Sequence, residues 1–426
     1  MNLFHTAVFR GPPNLHSLVC ERMLNCMAAL REKLGLEDGF LTKFVSYGPV
    51  PVPEDWPDVE PPPGGLTREF LEGEGHCFVG ILGGAWDSHD KDPKSTGQVT
   101  LSMMLNALPE GTVDPSLRPF LQRTIRHELT GCQVSRGIGL LEVITGWQLL
   151  GLSDPEISRL FSLVWEGLVL HLCEFQPTDP RSVPIREKSE LSAEDQVQEF
   201  LHREGQRYVM HALSAESILE NCRPALGDNG FAELERSVAA ALQAFWRDCE
   251  QAELAIQGRR WVVLVGRSDA LGFARLARRG NQSGLTARGK RKEKPFPGRP
   301  DRRPPDLVVN FCRPGVFSVS VIGSTGRIRG LDACLARRLQ IADLEARGFE
   351  VRGTAWASLG QSNVDLISRL TGSDGETHDR IRMLHFPWCG GVVGNAFKAT
   401  RRSVEPSPLT ERQVLQEVAA VLSAGW

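Results

Sequence analysis

The chain has 426 residues, of which 41% are hydrophobic and 24% charged, with a formal net charge of −3. That length supports two or three domains with separate cores, and the balance is that of an ordinary globular chain. The net charge says nothing about a polyanionic partner at whole-chain level, so any attraction to nucleic acid has to be local.

The amino-terminal stretch "MNLFHTAVFRGPP" has no charged start followed by a long apolar core, so no signal peptide is expected. No apolar run reaches the roughly 18 residues of a membrane span. The ten cysteines (20, 26, 77, 132, 173, 222, 249, 312, 334 and 389) are scattered, with no Cys-x-x-Cys pair. Neither a zinc ribbon nor a redox motif is present. A reducing cytoplasm with free thiols is expected, with no membrane association.

"LFHTAVF" (3–9) reads as a first strand, closed by "RGPPN", and "HSLVCERMLNCMAALREKLG" (16–35) as a helix ending on Gly35. Residues 48–65, "GPVPVPEDWPDVEPPPGG", form a proline-rich loop. "HCFVGIL" (76–82) is the second strand, ending at Gly83-Gly84. From 96 to 175 the pattern is helical: "TGQVTLSMMLNAL", then "DPSLRPFLQRTIRHEL" with Asp114 and Pro115 as start signals, then "GIGLLEVITGWQLLG". The next helix opens on Ser-Asp-Pro-Glu at 153–156, a capping arrangement. A polar break at 176–192 leads to more helix over 193–257.

The pattern then changes. "RRWVVLVG" (259–266) is a strand, "SDALGFARLARRG" a helix, and "DLVVNFCRPGVFSVSVIG" (306–323) a hairpin turned at Arg313-Pro314-Gly315. A helix follows over 331–347. Between these units, residues 286–305 carry eight Lys or Arg against Glu293 and Asp301, a net charge of +6. Such a run cannot bury a core, and disorder is expected there. A solvated insertion and a phosphate-backbone contact both fit it.

The expected fold is α/β, with three parts. Residues 1–175 form an amino-terminal lobe with a mostly parallel sheet flanked by helices, 176–258 a helical connector, and 259–426 a smaller mixed α/β lobe, with a cleft between the lobes.

Candidate chemistry lies at four places. In "GGAWDSHDK", Asp87 and His89 are two apart at a strand end and project to one side, which suits one cation or one phosphate; a hydrogen-bonded polar turn has the same composition. His16 sits where a strand gives way to a helix, a place for a metal ligand or an anion contact, or merely a polar start. Glu128, beside His127 near a helix end, fits a metal ligand or a surface carboxylate. In "MLHFPWCGGVVGNAF", His385, Gly391 and Asn395 suit phosphate contact through a glycine-rich backbone, and a tight β-turn equally. There is no Walker loop, nucleophile elbow, His-Glu-x-x-His or Rossmann fingerprint.

The order of these pieces resembles the DHH-type phosphoesterases, most of all the branch containing the melanocyte-proliferating-gene-type exonucleases. "AVFRGPPNLHSL" sits where that family has a strand and a His-Asn-Gly…His-x-Asp-Glu motif. "VGILGGAWDSHDK" is similar to its Gly-Gly…Asp-His-His segment, and "TIRHELTG" falls at a further acidic position. "DLVVNF…FSVSVIG", the 331–347 helix and "MLHFPWCGGVVGNAFKA" resemble its carboxyl-terminal half. The resemblance covers about 60% of the chain through loose patterns. It implies hydrolysis of a phosphodiester or nucleotide by a pair of divalent ions, manganese or magnesium.

The departures are specific. Phe9 and Leu18 stand for a first-motif His and Asp, Ile81 for the Asp before the glycine pair, and Ser88 for the first His of Asp-His-His. Apolar residues cannot offset four positive charges, so a two-ion cage is not expected. The resemblance leaves Asp87 and His89 as catalytic, His16 and Glu128 as ligands of one ion, and His385, Gly391 and Asn395 as substrate contacts. Two alternatives stand beside it: an inactive module binding a nucleotide, nucleic acid or protein, and an unrelated α/β protein. The sequence leaves oligomeric state open.

Overall fold

The computed structural model describes residues 3–45, 51, 53–87, 98–130, 132–185, 191–250, 253–257, 261–267, 306–321, 331–348, 392–394 and 406–424. The chain divides into two compact units, Met1–Gln243 and Ala244–Trp426. Both are mixed α/β.

The first unit holds a parallel three-stranded sheet, β1 (Phe4–Arg10), β2 (Leu36–Val45) and β3 (His76–Phe78), in the order β2-β1-β3. Two helices, α1 (Leu15–Cys26) and α2 (Ala28–Leu34), connect β1 to β2. The expected single helix over 16–35 breaks at Met27, whose extended backbone caps α1; Gly35, at φ 68°, closes α2 in the left-handed conformation that glycine adopts without strain. The next connection, from β2 to β3, crosses β1 in the opposite direction through the proline-rich segment and α3 (Arg68–Gly73). Right-handed crossovers in opposite directions fall on opposite faces of a sheet.

The cores follow that rule. On one face Ala7, Phe9, Phe44 and Cys77 pack with α1, α2 and the helices that follow. On the other, Val8, Val45 and Phe78 pack with Trp56, Leu66 and Leu71. Among its described residues the proline-rich segment has one short 3₁₀ turn, Pro53–Asp55, yet it buries Trp56 to 1% exposure and so serves as a second layer.

The remaining helices of this unit are α4 (Thr100–Ala107), α5 (Arg118–Thr130), α6 (Leu140–Leu149), α7 (Asp154–Cys173), α8 (Ala193–Ala212) and α9 (Ala215–Cys222); α10 (Asp228–Glu250) runs past its end. Apolar residues at helical spacing build these helices into one core: Phe120, Trp147, Phe161, Val209 and Leu234 all belong to it. Backbone approach is close where Gly146 of α6 meets Ala241, since a Cβ there would lie 2.0 Å from the Ala241 carbonyl oxygen. Residues of α8, α9 and the first part of α10 therefore contribute to the first core. Among the described residues, no helix is long and apolar enough to cross a membrane.

The second unit holds a mixed sheet in the order β4-β5-β6-β7-β8: β4 (Glu253–Gln257), β5 (Val262–Gly266), β6 (Leu307–Arg313), β7 (Val316–Val321) and β8 (Val392–Gly394). β5 and β6 are parallel and the other pairs antiparallel. The β6–β7 hairpin turns at Pro314-Gly315, with Gly315 at φ 71°, where a tight turn needs a residue without Cβ. Val265, Val309, Phe317 and Val319 pack against α11 (Leu331–Ala346) and α12 (Glu411–Ser423). The basic stretch 286–305 and the helix expected after β5 lie outside the described residues.

Candidate functional site

The carboxyl ends of β1 and β3 are adjacent, and between them lies the point where the connections reverse direction. In open α/β sheets, ligands bind outside the strand ends at such a switch point. Two helices begin beside these ends. α1 starts four residues after β1, with Asn14 as cap: its side chain accepts from Ser17 N at 2.9 Å and the Ser17 hydroxyl accepts from Asn14 N at 3.0 Å.

α4 starts differently. Its N-cap is Val99, which has no side-chain oxygen to offer. His16 of α1 supplies the acceptor instead: its Nε2 accepts from the Leu101 backbone N–H at 3.2 Å. The imidazole therefore carries its proton on Nδ1, and the first turns of α1 and α4 are tied together. β3 also runs close to α4. Gly80, at φ 68°, places its Cα so near Thr100 that a Cβ would lie 2.3 Å from the hydroxyl oxygen.

The turn after β3 is compact. Ala85 N donates to Phe78 O and Gly80 N to Ala85 O, both at 2.8 Å. Asp87 Oδ2 accepts from Gly83 N at 2.7 Å. Leu82 and Trp86, at φ 56° and 57°, are non-glycine residues in the left-handed region, a conformation that costs about 1–2 kcal/mol each. Arg68 of α3 holds the turn from outside, donating to the carbonyls of Leu82, at 3.3 Å, and Gly83.

Glu128 is exposed on the last turn of α5. Its charge reaches Cys20 of α1, whose thiol is pushed strongly upward, first by complete burial and then by this carboxylate. The Cys20 Sγ also lies 3.9 Å from His16 Nε2. The Cys20–His16 pair is thus a buried, protonated thiol beside a committed imidazole, without nucleophilic character. His127 Nδ1 donates to the Cys132 carbonyl at 2.6 Å.

His16 and Glu128 accordingly flank Cys20, while Asp87 holds the turn after β3. Phe9, Leu18 and Ile81, which stand where the resembled family has metal-binding side chains, are buried at 1%, 0% and 0% exposure. Among the described residues, no group of three or more His, Cys, Asp or Glu is arranged to hold a metal ion. His16 Nε2 and Asp87 Oδ2 are both engaged by backbone amides. His89, His385, Gly391 and Asn395 lie outside the described residues, although β8 passes directly between the last two.

Sequence reasoning missed the roles of Gly80, Arg68 and the Leu101 amide. Two signals were available: a glycine inside an apolar strand pattern, and a valine at a helix start where Ser, Thr, Asp or Asn is usual. Comparison with protein-family models, with curated proteins and with solved structures returns no match to this chain.

Proposed function

We propose that the carboxyl edge of the β2-β1-β3 sheet binds a phosphate-bearing ligand, a nucleotide or the end of a nucleic acid, on a divergent phosphoesterase-like fold. One observation carries the reading: α1 and α4 start side by side at the strand ends, linked by the hydrogen bond from Leu101 N to His16 Nε2. A helix start carries the equivalent of about +0.5 charge, which favours an anion even where single amides such as Ser17 N and Leu101 N are capped. Free thiols on every described cysteine suit a reducing, cytoplasmic setting.

Titration calorimetry with a mononucleotide, inorganic phosphate and the uncharged nucleoside tests this. The expected result is heat of binding for the first two, falling with salt, and none for the nucleoside; Gly80→Ala abolishes it by displacing Thr100. Equal binding of nucleoside and nucleotide would overturn the reading.

Retained hydrolysis is a second reading, favoured by the left-handed Leu82 and Trp86 on either side of Gly83-Gly84, since strain of this kind gathers at reactive sites. Its signature is manganese- or magnesium-stimulated cleavage of a generic phosphodiester that His89→Ala removes. No cleavage with either ion leaves the binding module alone standing.

A further inference from the structure

The sheet face opposite the helices carries a cluster unconnected with the phosphate reading. His76 opens β3, and its ring lies 5.4 Å from His5 of β1 and 4.7 Å from Trp56, both edge-on. The ammonium of Lys43, from β2, sits 4.0 Å above the Trp56 ring. His5 Nε2 donates to the Glu74 carbonyl at 2.9 Å, and its Nδ1 lies 2.9 Å from the Thr6 hydroxyl. His76 Nδ1 and Trp56 Nε1 are both buried without a hydrogen-bond partner among the described residues.

Trp56 anchors residues 53–66 to this face. The same small core includes Leu66, Leu71 of α3 and Ile81 of the turn after β3. Arg68 then joins α3 to the Leu82 and Gly83 carbonyls. The segment and the Asp87 turn are therefore one mechanical unit.

We propose that residues 53–66 form a proton-operated strap, which protonation of His76 detaches from the sheet, loosening the turn that carries Asp87. A protonated His76 would put a second N–H donor where no acceptor faces it, beside Lys43 and His5. The titratable groups that bear on it are His5 from β1 and Lys43 from β2; Asp55 and Asp58 lie in the strap, and Glu72 of α3 bears on the adjacent Cys77. The two strap aspartates act on Lys43, whose ammonium burial weakens and which they support. Burial first, then His5 and Lys43, lower the His76 pKa to about 4 from 6.5.

The sign follows from linkage. The closed strap holds His76 neutral more firmly than the open one, so closure is fully favoured above pH 6.5 and weakens as pH falls toward 4. The opening equilibrium rises about tenfold by pH 5.5 and on the order of fifty-fold by pH 4.5 relative to pH 7. Solvent screening of a half-buried ring lowers these figures rather than raising them.

Hydrogen exchange of the full chain, read by mass spectrometry and corrected for intrinsic rates, tests the strap at pH 7, 5.5 and 4.5. Peptides from 53–66 should lose protection progressively toward pH 4.5, by up to about tenfold at pH 5.5, while those from α7 keep theirs. His76→Gln, polar but without a titrating proton, should flatten the profile. If that variant fails to fold, Lys43→Met decides: with one neighbouring charge removed, the acid-induced loss should shrink. A wild-type profile in His76→Gln, an undiminished loss in Lys43→Met, or joint loss in 53–66 and α7 would overturn the proposal. None of these outcomes depends on whether the strand ends bind phosphate.

Discussion

The Nε2 atom of His16 accepts the Leu101 backbone N–H at 3.2 Å, so a side chain of one helix caps the start of another. Val99 cannot do this for its own helix. His16→Ala should cost about 1 kcal/mol, the usual worth of a helix cap, in urea unfolding. Val99→Thr in that background returns a hydroxyl to the cap position and should recover part of the loss.

Gly80 combines a φ of 68° with contact on Thr100. Gly80→Ala adds left-handed strain and a Cβ with no room, together about 2–4 kcal/mol. Equilibrium unfolding of the first unit reads this directly, and a loss below about 1 kcal/mol would mean that Thr100 moves aside freely.

Asp87 and Gly83 test whether charge or geometry matters in the turn. Asp87→Asn retains an acceptor for the Gly83 amide, whereas Asp87→Ala leaves it to water, a difference of about 0.5–1.5 kcal/mol. Paired thermal melts should place Asn near wild type and Ala below it. Equal losses would shift the role of Asp87 from the hydrogen bond to the negative charge.

In the second unit, Asp343 of α11 is buried at 1% exposure and accepts from Arg347 Nε at 2.8 Å and from the Ser407 hydroxyl. Ser407 N donates to Gly315 O at 2.8 Å, so this carboxylate ties α11 to the hairpin and to the start of α12. Asp343→Ala leaves the Ser407 hydroxyl and the partly exposed Arg347 guanidinium without their carboxylate and should cost about 1–3 kcal/mol. Exchange protection in 411–423 should fall with it.

Local chemistry settled much of the architecture. Prolines and glycines punctuated the chain, Ser153 and Glu156 announced α7, and Pro314-Gly315 set the β6–β7 hairpin, because caps and turns depend on residues a few positions apart. β2 escaped notice for the converse reason. Its pairing with β1 shifts register, from Phe4 opposite Leu36 to Thr6 opposite Leu41, so Glu37, Asp38 and Gly39 interrupt the alternation that marks a strand. β4 likewise followed a helical pattern closely enough to be absorbed into it.

Site residues divided along the same line. The composition of "GGAWDSHDK" left a polar turn and a cation or phosphate site both open, and the resemblance suggested its chemistry. Only the folded chain decided that Asp87 binds Gly83, that His16 is spent on Leu101, and that Trp56, in a segment of prolines and acids, seals a sheet face beside His76. Such contacts join residues 4 to 85 positions apart. Side-chain identity sets what each group can donate or accept, but crossover direction and burial choose its partner, and those belong to the tertiary structure.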